Sequence, residues 1–162
     1  MKSKTVHETS ITMAVQMNPE DTNPVGHVHG GVIMKYVDTA AGVVAIRHAR
    51  NNAVTASIDR LDFHYPVFVG DLLILKASLN YVGKSSMEVG VRVEAENLLT
   101  GEVRHTASAY LTFVALDKFG KPIQVPALEP ETDEERRRNC EAVVRRKHRM
   151  EQKQREAKNC VT

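Results

Sequence analysis

The chain has no tryptophan, and only 5% of its 162 residues are aromatic. Its core must therefore come from Val, Ile, Leu, Ala and Met, and a nucleic-acid surface built on stacked bases is disfavoured. There are two cysteines, Cys140 and Cys160, both in a charged C-terminal stretch without neighbouring ligand patterns. Neither a zinc site nor a disulfide framework is indicated, and free thiols of this kind fit a cytoplasmic protein. No segment has the continuous apolar length of a membrane span, and residues 1–20 contain no signal-like apolar run. Secretion and membrane insertion are not expected.

What remains is a chain with 42% hydrophobic residues and a formal charge of +2. A chain of this length buries roughly two thirds of its unfolded surface, enough for one real core. The charge is uneven. Residues 131–162 carry ten Lys or Arg against seven Asp or Glu, whereas the preceding body is slightly acidic. Glu131, Asp133, Glu134 and Glu135 open this tail and the arginines follow, the distribution that complements a helix dipole. With few apolar residues, chiefly Ala142, Val143, Val144 and Met150, the tail reads as a solvated helix that frays into disorder after about residue 150. The chain thus divides into a body, residues 1–128, and a charged helical tail, residues 129–162.

The densest information lies in residues 23–42. Asn23, Pro24, Gly26, His27 and His29 form a turn-rich loop that runs into a helix from Gly31 to Ala49, apolar on nearly all sides and hence expected to be buried. Gly30 and Gly31 sit where loop becomes helix, so unpaired N–H groups and the positive end of the helix dipole lie open to an oxygen. This is an oxyanion or carbonyl site in outline. Asp38 interrupts the apolar pattern. It either reaches a wet cleft or pairs with Lys35 three residues earlier on an exposed stripe. His27 and His29 alternate like loop ligands, but without a third ligand they predict no metal, and His29 reads as a hydrogen-bonding residue at the helix start. Asn23 before Pro24 is, locally, an ordinary turn residue.

Beyond the helix the period becomes strand-like. Residues 53–64 change parity between Ile58 and Leu61, which predicts a bulge near Asp59 and Arg60. Strands follow through Leu73 to Tyr81, Met87 to Ala95 and Val103 to Leu116, with an earlier one across residues 8–17. Gly83, Lys84, Ser85 and Ser86 turn the chain between two of them; the segment lacks the helix and glycine spacing of a phosphate-binding P-loop. No Gly-x-Ser-x-Gly elbow is present, so no serine nucleophile is predicted. One buried helix and an antiparallel sheet give an α+β architecture.

The combination of Asn23, Gly26, His29-Gly30-Gly31, Met34, Asp38 and Ala41-Gly42 with Phe63, Pro66, Gly70-Asp71 and the run from Gly83 to Val89 resembles hotdog-fold acyl-CoA thioesterases. The similarity spans most of residues 5–117 and points to the branch of bacterial and mammalian cytosolic acyl-CoA hydrolases. It implies a curved sheet of about five strands around one long helix, hydrolysis of acyl-CoA to free acid and CoA, and no resident cofactor, since CoA belongs to the substrate. It implies Asp38 as general base, or less favoured as nucleophile, with Gly30 or Gly31 donating to the carbonyl and Asn23 positioning water or carbonyl. His29, Arg60, Gly83, Lys84, Ser85 and Ser86 are the candidate CoA contacts, and the basic tail is a further candidate for the CoA phosphates. A homodimer is implied, with Asn23 facing the partner's Asp38, and a trimer of dimers beyond it. Two other readings stand beside this one: a non-catalytic acyl-CoA sensor, and a hotdog enoyl-thioester hydratase or dehydratase.

Overall fold

In the computed structural model, which describes residues 1–159, the apolar segment is helix α1, Gly30–Ala49. His29 caps its N-terminus, and Arg50 ends it in the left-handed conformation with its N–H on the Ile46 carbonyl at 2.8 Å. Lys4 adds a cation at the same end, donating to the His48 carbonyl at 2.7 Å.

Among the described residues there are seven strands: β1 (Lys4–Thr5), β2 (Ile11–Gln16), β3 (Ala53–Phe63), β4 (Leu72–Val82), β5 (Ser86–Glu96), β6 (Val103–Ala115) and β7 (Leu128–Glu129). Five form an antiparallel sheet in the order β2-β4-β5-β6-β3. The short β1 and β7 pair in parallel beside it, which the sequence pattern does not reveal. Strand alternation supplies the core. Leu73, Leu75 and Leu79 of β4, Val89, Val91 and Val93 of β5, and Ala109, Leu111 and Phe113 of β6 are buried, as are Ile33, Val37, Ala40, Ala41, Val44 and Ala45 of α1. The expected architecture of one helix wrapped by a curved sheet is present. The bulge expected in β3 falls at Asp59, and a second lies between Thr55 and Ser57.

α1 is not buried on every side. Met34, Val43 and Ile46 are exposed, as are Val54, Ile58 and Phe63 on the edge strand β3. That apolar strip borders a strand with one open hydrogen-bonding edge, the surface a second copy would cover.

The tail forms helix α2, Asp133–Asn159. The expectation of a wholly solvated helix is corrected. Ala142 is fully buried against the outer face of the sheet, and Arg145 hydrogen-bonds buried Glu88 at 2.7 Å while its guanidinium lies 3.9 Å from the Tyr110 ring centroid. The tail is thus packed on the body it was expected to hang from. One apolar residue and a few long arginines are enough, because an arginine stem packs while its head pairs. Cys140 is exposed and free; Cys160 lies outside the described residues.

Candidate active site

The start of α1 is built by an Asx turn and a histidine cap. Asn23 Oδ1 accepts from the backbone N–H groups of Val25 and His27 at 3.0 and 3.2 Å, and the Asn23 N–H donates to the His27 carbonyl at 2.8 Å. The side-chain oxygen is thereby used to shape the loop. Among the described residues the amide nitrogen has no hydrogen bond, so Asn23 is left as a donor. Gly26 takes φ 89° in this turn, which explains the glycine.

His29 Nδ1 accepts from the Gly31 N–H at 2.8 Å. Of the two amides expected as carbonyl donors, Gly30 or Gly31, that of Gly31 is engaged by the cap. The remaining N–H at the helix start is that of Gly30, which donates to no acceptor among the described residues. Gly30 lines a cavity of about 300 Å³ with Asn23, His27, Ile33, Phe63, His64 and Val67. A Cβ on Gly30 would meet the Phe63 ring at 3.5 Å, an ordinary van der Waals contact, so Phe63 forms the wall beside this amide. His29 therefore acts through backbone geometry, and no CoA contact is needed to explain its presence.

The loop after β3 holds this end in place. Val28 N–H donates to the Val67 carbonyl at 2.8 Å; Asp71, almost fully buried, accepts from the Phe68 N–H at 3.0 Å and from Arg104 at 3.2 Å. The Phe68 ring meets His27 edge-on with centroids 5.2 Å apart. The Gly70-Asp71 pair recognised in the sequence thus supports the Asn23 loop.

Asp38 lies two turns further along α1, about 12 Å from Gly30 at the helical rise. It is partly exposed, and its Oδ1 accepts from Thr55 Oγ1 of β3 at 2.6 Å. The carboxylate engages Thr55 and not Lys35, whose ammonium sits 5.8 Å from the Tyr36 ring centroid. Thr55 is the site residue the sequence reading misses. Only its position across from α1 reveals it, since a lone threonine in a strand carries no signal.

Asp38 does not line the cavity of Gly30 and Asn23. Within one chain these groups lie apart: Gly30 packs toward Phe63 at the end of β3, and Asp38 meets Thr55 near its start. The Gly83–Ser86 turn lies on the Asp38 side, since the Ser85 carbonyl accepts from Ala115 and Ala115 pairs with Ala53. Gly83 N–H donates to the Ser86 carbonyl at 2.7 Å, a tight turn that leaves Lys84 exposed. Arg60 is exposed and ion-paired to Asp62. No group of three metal-ligating side chains occurs among the described residues, and none of their helices is long and apolar enough to cross a membrane.

A buried helix wrapped by one curved antiparallel sheet is the architecture of the hotdog fold. Residues 25–102 match the thioesterase superfamily. An uncharacterized acyl-CoA thioester hydrolase of Bacillus subtilis is 42% identical over 146 residues, covering 90% of this chain and 85% of that protein. A hexameric acyl-CoA thioesterase solved in its apo form superimposes with a TM-score of 0.91 at 41% identity, over 94% of this chain and 97% of its own. The acyl-CoA hydrolase of Staphylococcus aureus, solved with butyryl coenzyme A, coenzyme A and coenzyme A disulfide, gives 0.89 at 35% identity over 98% and 96%. That hydrolase has also been solved with an asparagine, an aspartate or a threonine replaced by alanine, the aspartate fifteen residues after the asparagine and the threonine seventeen after the aspartate. The chain belongs to the thioesterase superfamily, among its acyl-CoA hydrolases.

Proposed function

We propose that this protein hydrolyses acyl-CoA thioesters at a site assembled from two copies of the chain, one supplying Asn23 and Gly30, the other Asp38, Thr55 and the Gly83–Ser86 turn. The observation that carries the reading is the separation of the two half-sites along β3. Antiparallel pairing of two β3 edges sets the start of one strand beside the end of the other, so both half-sites are completed at once. Asn23, Asp38 and Thr55 also share the spacing of the three residues replaced in the S. aureus hydrolase.

In the proposed reaction the thioester carbonyl oxygen accepts from the Gly30 N–H, with the helix dipole behind it, and from the free amide of Asn23. Thr55 holds one oxygen of Asp38 and leaves the other to act. That oxygen takes a proton from water as the water oxygen bonds to the carbonyl carbon. The tetrahedral adduct collapses, the carbon–sulfur bond breaks, and the departing thiolate recovers the proton from Asp38, giving acid and CoA. Neither a metal nor a redox group takes part in these steps. Lys84 and Arg60 lie exposed, available to the phosphates of CoA. The working unit is a homodimer in the cytoplasm, and three dimers form the hexamer.

Mixing Asn23→Ala and Asp38→Ala proteins tests the two-chain site. Each alone is inactive; a mixed dimer has one intact site and one doubly damaged site, so turnover returns on mixing. Verified mixed dimers without turnover would refute the shared site.

A further inference from the structure

The contacts of α2 follow one line across the sheet. Arg138 and Asn139 reach the Ser78 hydroxyl and the Asn80 carbonyl on β4, Arg145 reaches Glu88 on β5 and covers Tyr110 on β6, and Arg149 pairs with Asp59 on β3. The register sets Ser78 opposite Gly90, Gly90 opposite Tyr110 and Tyr110 opposite Arg60, a single cross-strand row. The helix therefore runs perpendicular to the strands. The dimensions agree: three strand spacings from β4 to β3 are about 14 Å, and the rise from Asn139 to Arg149 is about 15 Å.

α2 reaches the edge strand at Arg149 but continues to Asn159. Those ten further residues carry it about 15 Å past β3, roughly three strand widths beyond the sheet of its own chain. β3 is bonded on one side only, to β6. We infer that residues 150–159 of α2 lie on a second copy of this chain, forming a strap across the two-fold axis of a dimer joined through β3.

The flanks of α2 indicate how the two straps meet. At 100° per residue, Val143, Met150 and Ala157 fall on one flank, about a right angle from buried Ala142, while the other flank presents Glu141, His148, Gln152 and Arg155. Val143 and Met150 are nearly half exposed in one chain. The axis lies half a strand spacing beyond β3, one or two residues past Arg149, which is the level of Met150. Two antiparallel straps placed side by side on their apolar flanks bring Met150 against the partner's Met150.

The inference rests on the edge-joined dimer of the proposed site, and the test separates the two. In full-length protein carrying Cys140→Ser and Cys160→Ser, Met150→Cys is treated with a short bis-maleimide, with His148→Cys on the opposite flank as control. Cross-linked dimer from Met150→Cys and little from His148→Cys is the expected result. Truncation after Arg149 is expected to raise the dimer dissociation constant at least about tenfold by sedimentation. An active dimer that does not cross-link at Met150, or that holds together equally well after truncation, overturns the strap and leaves the two-chain site standing. An active monomer overturns both.

Discussion

Helices α1 and α2 pack on opposite faces of one sheet and are held by opposite means. α1 lies in the concave face through Ile33, Val37, Val44 and the small residues Ala40, Ala41 and Ala45, an apolar contact with few polar groups to satisfy. α2 lies on the outer face through Ala142 and a series of arginines, each aimed at an acceptor on a strand: Ser78, Glu88 and Asp59. Burial of apolar area is insensitive to register by itself, so α1 is positioned by its caps at His29, Arg50 and Lys4. Paired charges are directional, and α2 is positioned along its length. α2 is tied at its start as well, where Glu135 accepts from the Thr132 N–H at 3.1 Å and Thr132 Oγ1 accepts from the Glu135 N–H at 3.2 Å.

Removing the chemistry without touching the packing should give the largest effect. Asp38→Asn keeps the size of the side chain and the contact to Thr55 but cannot take a proton from water. Its kcat is expected to fall by about 10²- to 10⁴-fold, with the far-UV spectrum and unfolding midpoint little changed. Steady-state turnover of an acyl-CoA series, followed by thiol release, measures it. Near-wild-type kcat in a folded variant would remove Asp38 from its proposed role.

The outer face is broken at Glu88. This side chain is only 2% exposed and carries the Arg145 pair, so Glu88→Ala leaves a partly buried guanidinium without its carboxylate. Loss of one partner of a buried pair costs about 3 kcal/mol or more. Urea unfolding should show it as a lower midpoint. Replacing both partners, Glu88→Leu with Arg145→Met, should recover much of the loss, because the unpaired charge goes with its partner. A double variant as unstable as the single would mean that the ion pair itself, and not the penalty of breaking it, holds α2 down.

These two helices also differ in how plainly they are written in the sequence. α1 is legible because its apolar run and glycine pair agree, and the β3 bulge is legible from the change of parity at Ile58 to Leu61. α2 is legible as a helix but not as a packed one: an arginine bound to Glu88 looks the same in sequence as an arginine in water. The pairing of β1 with β7 is invisible because two residues on each side carry no period. At the site, Asp38 and the glycine pair stand out by their types and spacing. Thr55 does not, and while His29 is legible as a hydrogen-bonding residue at the helix start, its choice of the Gly31 amide is a matter of a rotamer that no spacing encodes.

The cap is open to a smaller perturbation. His29→Ala removes the Nδ1 acceptor of the Gly31 N–H, and loss of an N-cap costs about 1 kcal/mol. The start of α1 should loosen and the Gly30 amide lose its fixed direction. Thermal unfolding should drop modestly while kcat falls more than KM changes. His29→Asn, which can cap in the same way, should recover both. A rise in KM for CoA itself at constant kcat would instead assign His29 to CoA binding.

The smallest expected effect separates the two helices by the solution variable each responds to. His48, fully buried at the end of α1, has its Nε2 2.8 Å from the Pro126 carbonyl, and burial lowers its pKa below the ordinary 6.5, with the Pro126 hydrogen bond acting in the opposite sense. The neutral ring donates to that carbonyl. Above pH 6.5 His48 is neutral in both folded and unfolded chains and contributes no pH dependence. As the pH falls through 6.5 the unfolded chain takes up the proton first, so stability declines until the lowered folded-state pKa is passed, and then levels off. Urea unfolding between pH 8 and 5 should show this slope in the wild type and a shallower one in His48→Gln, whose amide can still donate to Pro126. Added salt should leave that difference nearly unchanged, because the ring is buried, while it weakens the exposed ion pairs along α2, such as Arg137 with Glu134 and Glu141. If the two proteins have parallel pH profiles, the proton-linked part of stability resides elsewhere, and α1 is as indifferent to pH as its apolar packing alone would make it.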